Sequence, residues 1–298
     1  MVDGKTKNTK GILFMLISMA SFAVGDTFVK ISGAFLSPAQ IMFFLIAGGL
    51  IIFALIAKFK GENLLDSRAF SPVLIIRYLA EMIGLVAMIM GLTKIPLSVV
   101  GTVTQASPIL VAAGAVFFFK EIVSWRRWSS IFIGFIGIVL VIQPSGQNLD
   151  YAVIWAVVAL VAFSIRDLVT RLTPPDIPSA SIATFTMIAA FPFTAAWVYF
   201  GGEKFFPPEM DWAVVSSMII LGSFGYLLLI TSLRLGELSA IMPFRYSRIV
   251  FLIILGFLVF GERPTASMLI GATLILISGV YIMWREKVIK SGLNKTQT

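Results

Sequence analysis

The chain has 298 residues, of which 58% are hydrophobic and 13% charged, with a formal net charge of +8. Soluble domains average roughly 45–50% apolar and about 25% charged residues, so a water-soluble globule is excluded. Cysteine and histidine are both absent, which excludes disulfides and any metal site built on either residue.

The apolar residues fall into ten blocks, approximately 11–31, 38–57, 72–91, 97–118, 128–143, 152–171, 178–200, 212–232, 238–260 and 266–284. A span needs roughly 20 such residues to cross a ~30 Å hydrocarbon core. The links between blocks are short and leave no room for a soluble domain. The basic start, MVDGKTKNTK, runs directly into the first block. That block is long for a signal peptide and no A-x-A-like site follows, so it is expected to be a retained span. Near its outer end Asp26 and Lys30 stand four residues apart, the spacing of an ion pair on one helix face.

The third block contains RYLAEMIG. Arg77 and Glu81 are again i and i+4, with Tyr78 beside them. Two roles fit: mutual neutralisation, or an exposed pair in which Arg77 binds a substrate acid and Glu81 takes a proton or a cationic group. The fourth block carries TVTQASPIL, in which Thr104, Gln105 and Ser107 can offer hydrogen bonds and Pro108 interrupts the helix. QPSGQNLD, 143–150, reads as a turn. In the sixth block Asp167 and Arg171 repeat the acid–base spacing of Asp26 and Lys30, and Arg166 is expected to reach the cytoplasmic headgroups. Trp155 and Tyr226 offer aromatic surface. The ninth block holds MPFRYSRIV. Arg245 and Arg248 share a face roughly 10 and 15 Å into that span. Guanidinium stays charged and grips carboxylate bidentately. Tyr246 adds a hydroxyl, and Pro243 loosens the helix. These arginines either hold a substrate anion or pair with Glu81. Ionisable residues within spans point to function.

The charges are sorted. With the N-terminus inside, fifteen Lys and Arg fall on cytoplasmic segments, against Lys30, Lys94, Lys204 and Arg263 outside. The positive-inside rule thus explains the basic balance without a nucleic-acid partner and puts both termini in the cytoplasm of a cell inner membrane. Lipid is the expected surroundings.

Shifted by 141 residues, the chain aligns with itself. SFAVGDTFVK (21–30) falls on AFSIRDLVTR (162–171), which matches Phe22 with Phe163 and Asp26 with Asp167. Gly84 meets Gly225, Ser98 meets Ser239 and Glu121 meets Glu262. Five spans per half invert the second half, as in many secondary transporters. The expected fold is therefore an all-α integral membrane protein, ten transmembrane helices in a 5+5 inverted repeat. Its halves are 1–145 and 146–298, the second ending in a short basic tail.

These halves, the Glu after each fourth span and the proline-bearing fourth span resemble the drug/metabolite transporter superfamily and, within it, the EamA family. The likeness is carried by GLTKIPLSVVGTVTQASPILVAAGAVFFFKEIVSWRRWSSIFIGFIGIVLVIQP (91–144) and LGELSAIMPFRYSRIVFLIILGFLVFGERPTASMLIGATLILISGVYI (235–282). PFRYSRIV is also similar to a pattern in the branch containing bacterial S-adenosylmethionine uptake carriers. The resemblance implies a central cavity lined by the first, third and fourth spans of each half, with the fifth and tenth outside it. GFIG (134–137), Gly271 and Gly279 then serve either packing within a monomer or a homodimer contact.

The functional expectation is a secondary transporter, cofactor-free, for a small anionic or zwitterionic metabolite bearing a carboxylate. Export of amphipathic compounds, or uptake of S-adenosylmethionine or riboflavin, are the alternatives. Without histidine, proton coupling falls to Glu81. An enzyme lacks its nucleophile–base set, and a channel lacks repeated pore charges.

Overall fold

Within hydrocarbon every backbone polar group needs an internal partner, and the regular structure of the described residues is helical throughout. The computed structural model describes residues 2–61, 70–107, 109–111, 113–114, 125–142, 151–170, 172, 177, 179–235 and 241–295. In chain order the helices are α1 (Val2–Ser32), α2 (Pro38–Phe59), α3 (Pro72–Leu92), α4 (Leu97–Thr104), α5 (Trp125–Ile142), α6 (Val153–Thr170), α7 (Ser179–Phe200) and α8 (Trp212–Leu235). A 3₁₀ turn (Met242–Tyr246) leads into α9 (Ser247–Phe260), and α10 (Ala266–Lys295) follows. Six of them, α1, α2, α3, α6, α7 and α8, contain stretches long and apolar enough to cross a membrane. Shorter apolar helices cover Leu97–Val111, Trp128–Ile142 and Ala266–Tyr281.

Local chemistry sets several boundaries. Ser37 caps α2, accepting from the backbone of Gln40, whose side chain reciprocates, and Pro38 takes the first turn where no N–H is needed. Ser71 and Pro72 open α3 in the same way. Gly261, at φ +64, closes α9 in the left-handed conformation that glycine adopts without a Cβ penalty.

The burial pattern is that of a protein solvated by lipid. Arg77 and Gln105 are 7% and 6% exposed, whereas Leu258 and Phe132 are 69% and 67% exposed. In water that distribution would leave large apolar patches open. The protein is a multi-pass membrane protein.

The chain divides into two compact units. The first comprises Met1–Ala23, Ser98–Tyr151 and Gly225–Thr298. Within it α5 packs along α10 so closely that a Cβ on Gly137 would stand 2.8 Å from the Gly271 carbonyl, and one on Gly271 2.6 Å from the Gly137 carbonyl. Ser278 Oγ donates to the Ser130 carbonyl across the same seam. The glycines of GFIG are thus used inside the chain. The first half of α1 joins the end of α8 through Ser18 Oγ donating to the Gly225 carbonyl and Ser232 Oγ to the Gly11 carbonyl, both 2.6 Å. Met15, Met19 and Ile241 form a buried core nearby.

The second unit comprises Val24–Leu97 and Ala152–Phe224. Here α3 lies along α6 and α2 along α7. The Phe163 ring fills the space a Cβ on Gly84 would occupy, and Ile219 does the same at Gly48. The loop after α7 is tied to α2: Ser37 Oγ donates to the Glu203 carboxylate and Gln40 Nε2 to the Lys204 carbonyl at 2.7 Å.

Candidate functional site

The sequence-predicted site residues fall into two sets, one in each unit. In the second unit α3 carries Arg77, Tyr78 and Glu81. The expected i,i+4 pair is present but long: Arg77 Nη2 is 3.7 Å from Glu81 Oε2. Arg77 is held mainly by hydroxyls, donating from Nε to Thr170 Oγ1 at 3.1 Å and from Nη1 to Thr186 Oγ1 at 3.0 Å. Those threonines lie on α6 and α7, so one guanidinium knits three helices.

The closer partner of Glu81 is Arg166 on α6, whose Nη1 lies 2.9 Å from Oε1. Arg166 also meets Asp167 Oδ1 from Nη2 at 2.8 Å and from Nε at 2.9 Å. Its guanidinium carbon lies 4.7 Å from the centroid of the Phe163 ring. Arg166 therefore does not reach for headgroups as its depth in the span suggested; two carboxylates and an aromatic face draw it inward. Two guanidiniums and two carboxylates balance, which is the condition for holding charges away from water. The side chains of Glu81, Arg166 and Asp167 keep 15%, 18% and 26% exposure, against 8% for Arg77. Tyr78, buried with Leu74, Ile182 and Phe185, has no hydrogen-bond partner for its hydroxyl among the described residues.

In the first unit the ninth block is not one continuous α-helix. Pro243 opens the 3₁₀ turn, and α9 begins only at Ser247. Proline lacks the N–H that would join an α-helical ladder, and short 3₁₀ turns inside apolar runs mark hinges or strain. Gln105 Nε2 donates to the Arg245 carbonyl at 2.9 Å, so the polar segment after α4 meets the arginine segment. The Arg248 guanidinium carbon lies 5.1 Å from the Phe22 ring centroid, within cation–π range. Phe22 in turn packs on Gly225, where a Cβ would stand 3.2 Å from its Cδ1. Tyr246, 3% exposed, presses its ring against Gly279 of α10. The hydroxyls of Tyr246 and Ser247 are buried with no hydrogen-bond partner among the described residues.

Of the remaining candidates, Thr104 spends its hydroxyl on the Val100 carbonyl at 2.8 Å. Ser107 is buried and Tyr226 half-buried. Asp26 is buried in α1, and Lys30 Nζ donates to the Ile95 carbonyl at 2.8 Å, tying α1 to the α3–α4 link. Pro108 and Arg171 lie outside the described residues. Sequence reasoning passed over Arg166, Thr170, Thr186 and the two phenylalanines as site residues. The available signal was the offset match of Phe22 with Phe163 and of Gly84 with Gly225, read as repetition and not as contact.

Membrane-spanning helices that bury arginines and carboxylates among themselves define a polytopic protein with polar machinery inside the membrane. The sequence profile of the EamA-like transporter family matches residues 9–143 and again 150–284; the chain belongs to that family. It is 27% identical to an S-adenosylmethionine uptake transporter of Rickettsia conorii, over 96% of this chain and 97% of that protein. It is 24% identical to a pseudopaline exporter of Pseudomonas aeruginosa, over 93% of this chain and 97% of the other. A solved crystal structure superposes with a TM-score of 0.63 at 16% identity, over 93% of this chain and 97% of its own, which is a likeness of fold. The family and these named relatives are transporters, not enzymes.

Proposed function

We propose that the protein is a secondary carrier that moves a small carboxylate-bearing metabolite, anionic or zwitterionic, across the inner membrane by alternating access. S-adenosylmethionine is the first substrate to test. The observation that carries this reading is the chain-long likeness to an S-adenosylmethionine uptake transporter. In this reading the chain forms ten membrane helices in two inverted halves, 1–145 and 146–298, with both termini cytoplasmic. Support comes from the family profile, which matches each half once. Residues related by the 141 shift also pack reciprocally: Phe22 on Gly225 in one unit, Phe163 on Gly84 in the other. The α5 glycines already packed on α10 favour a monomer.

In the first unit Arg245 and Arg248 serve as carboxylate contacts, positioned by Gln105, with Thr104, Ser107, Tyr226 and Tyr246 around them. In the second, Arg77, Tyr78 and Glu81 are the candidate polar set, and Glu81 is the proton site of a coupled cycle. Asp26, Lys30 and Arg171 belong to boundaries and gating, as do Pro108 and Pro243; Asp167, expected among them, is held on Arg166 instead. The test is uptake of labelled S-adenosylmethionine into proteoliposomes. A charge-assisted hydrogen bond contributes about 1.5–3 kcal/mol, so Arg245→Ala and Arg248→Ala each lower uptake efficiency by about tenfold or more. Unchanged uptake in both variants sinks the carboxylate role.

Export is a second reading, favoured by the likeness to the pseudopaline exporter. Preloaded proteoliposomes that empty faster than they fill under an inward proton gradient decide for it.

A further inference from the structure

The surroundings of Arg166 are those of an organic-cation site. Its guanidinium is held by the carboxylates of Glu81 at 2.9 Å and Asp167 at 2.8 Å, and lies 4.7 Å from the Phe163 ring centroid. An aromatic face flanked by carboxylates is the chemistry that recognises ammonium and sulfonium centres, whose charge is spread over methyl groups that cannot donate strong hydrogen bonds. The ring is fixed in place from behind, because its edge fills the Cβ space of Gly84. The three charged side chains remain partly exposed, while Arg77, anchored to Thr170 and Thr186, is more deeply buried.

We propose that Phe163, Glu81 and Asp167 form a site for the cationic centre of the substrate, and that Arg166 is its resident occupant when substrate is absent. The assignment rests on the carrier reading above and narrows it to substrates with an organic cation. Arg166 keeps the two carboxylates neutralised in the empty carrier and yields them to an incoming cation of equal charge. The substrate's cation replaces the guanidinium at the two carboxylates and the substrate's own carboxylate takes up the displaced guanidinium, so neither state strands a charge in a region of low dielectric. Removing Arg166 takes one positive charge away from Glu81 and Asp167 and leaves the ring bare.

The test is equilibrium binding of trimethylsulfonium, the smallest probe with this charge, to the purified full-length protein. Arg166→Ala is expected to bind it about tenfold more tightly than the wild type, because the resident competitor is gone. Adding Phe163→Leu to that variant is expected to abolish the gain. Methylguanidinium serves as the control that the vacated site is intact. Arg166→Gln, which keeps a hydrogen-bond donor for Asp167, is carried in parallel in case the alanine variant does not fold. Binding of methylguanidinium without trimethylsulfonium, equal trimethylsulfonium affinity in wild type and both variants, or a gain indifferent to Phe163 each overturns the proposal. S-adenosylmethionine uptake is measured on the same preparations. Cage binding without uptake supports the cation site and removes the proposed substrate; uptake that persists unaltered when Phe163→Leu and Glu81→Gln are combined overturns the cation site and leaves the carrier.

Discussion

Substituting alanine for the two glycines that match at the 141 shift tests whether the aromatic contacts are as tight as they stand. At Gly84 the added Cβ would lie 2.5 Å from Phe163 Cε1 and 2.6 Å from Cδ1. Carbon atoms settle at about 3.5–4.0 Å, so the ring must retreat by roughly 1 Å, and the Arg166 guanidinium on its face moves with it. Overpacking of this kind costs about 1–3 kcal/mol, set against a helix-propensity gain of about 1 kcal/mol for replacing glycine. At Gly225 the nearest atoms would be Phe22 Cδ1 at 3.2 Å and the Ser18 carbonyl at 3.3 Å. A shift of a few tenths of an ångström relieves that contact, and the propensity gain decides the sign. Gly225→Ala is therefore expected to be neutral or stabilising, and Gly84→Ala less stable than it by about 1–3 kcal/mol. Unfolding by SDS in mixed micelles, followed by tryptophan fluorescence, measures both. Phe163→Leu, introduced with Gly84→Ala, should recover most of the loss as a non-additive term. If Gly84→Ala is as stable as Gly225→Ala, or if Phe163→Leu recovers nothing, the close approach of α3 and α6 at this point is wrong.

Four further substitutions read other contacts by the same assay. Thr186→Val removes a buried acceptor from Arg77 and is expected to cost about 1.5–3 kcal/mol, the range for hydrogen bonds to charged groups; Thr170→Val costs less, because that side chain is exposed. Glu262 accepts from Ser98 N at 3.1 Å and Ser98 Oγ at 2.7 Å, acting as a carboxylate cap for α4 supplied from beyond α9, so Glu262→Ala should lower stability by about 0.5–2 kcal/mol. Gly261→Ala forces a Cβ into the left-handed conformation at φ +64 and should cost about 1 kcal/mol, visible as earlier unfolding with no change in the helices upstream of α9.

Helix ends were legible wherever the signal was local. The apolar blocks expected to open at 38 and 72 do open there as α2 and α3, where a Ser-Pro pair supplies a cap and a residue that needs no N–H within one turn. Pro243 was read as loosening its span, and the chain there is a 3₁₀ turn; the apolar run alone could not show where α-helix resumes. The site was legible in part. The Arg77–Glu81 spacing holds on α3, yet the stronger partner of Glu81 comes from α6, which no spacing along one helix can reveal. Arg166 lies where a headgroup contact was expected from depth, and only the side chains across from it turn it inward. Tyr246 shows the same limit: its position in the arginine motif suggested a ligand contact, while the absent side chain of Gly279 is what admits its ring.

The repeat held more information than a reading along the chain extracted. Phe22 matches Phe163, and Gly84 matches Gly225, as two separate coincidences at one shift. In space they are crossed: Phe22 rests on Gly225 and Phe163 on Gly84, so α1 meets α8 and α6 meets α3. An arginine then approaches each ring, Arg248 at Phe22 and Arg166 at Phe163. These arginines are not matched by the shift; their counterparts are Ser107 and Gly25. The packing scaffold follows the repeat while the charges depart from it. Arg166 faces two carboxylates, whereas Arg248 approaches its ring from α9 beside a 3₁₀ turn.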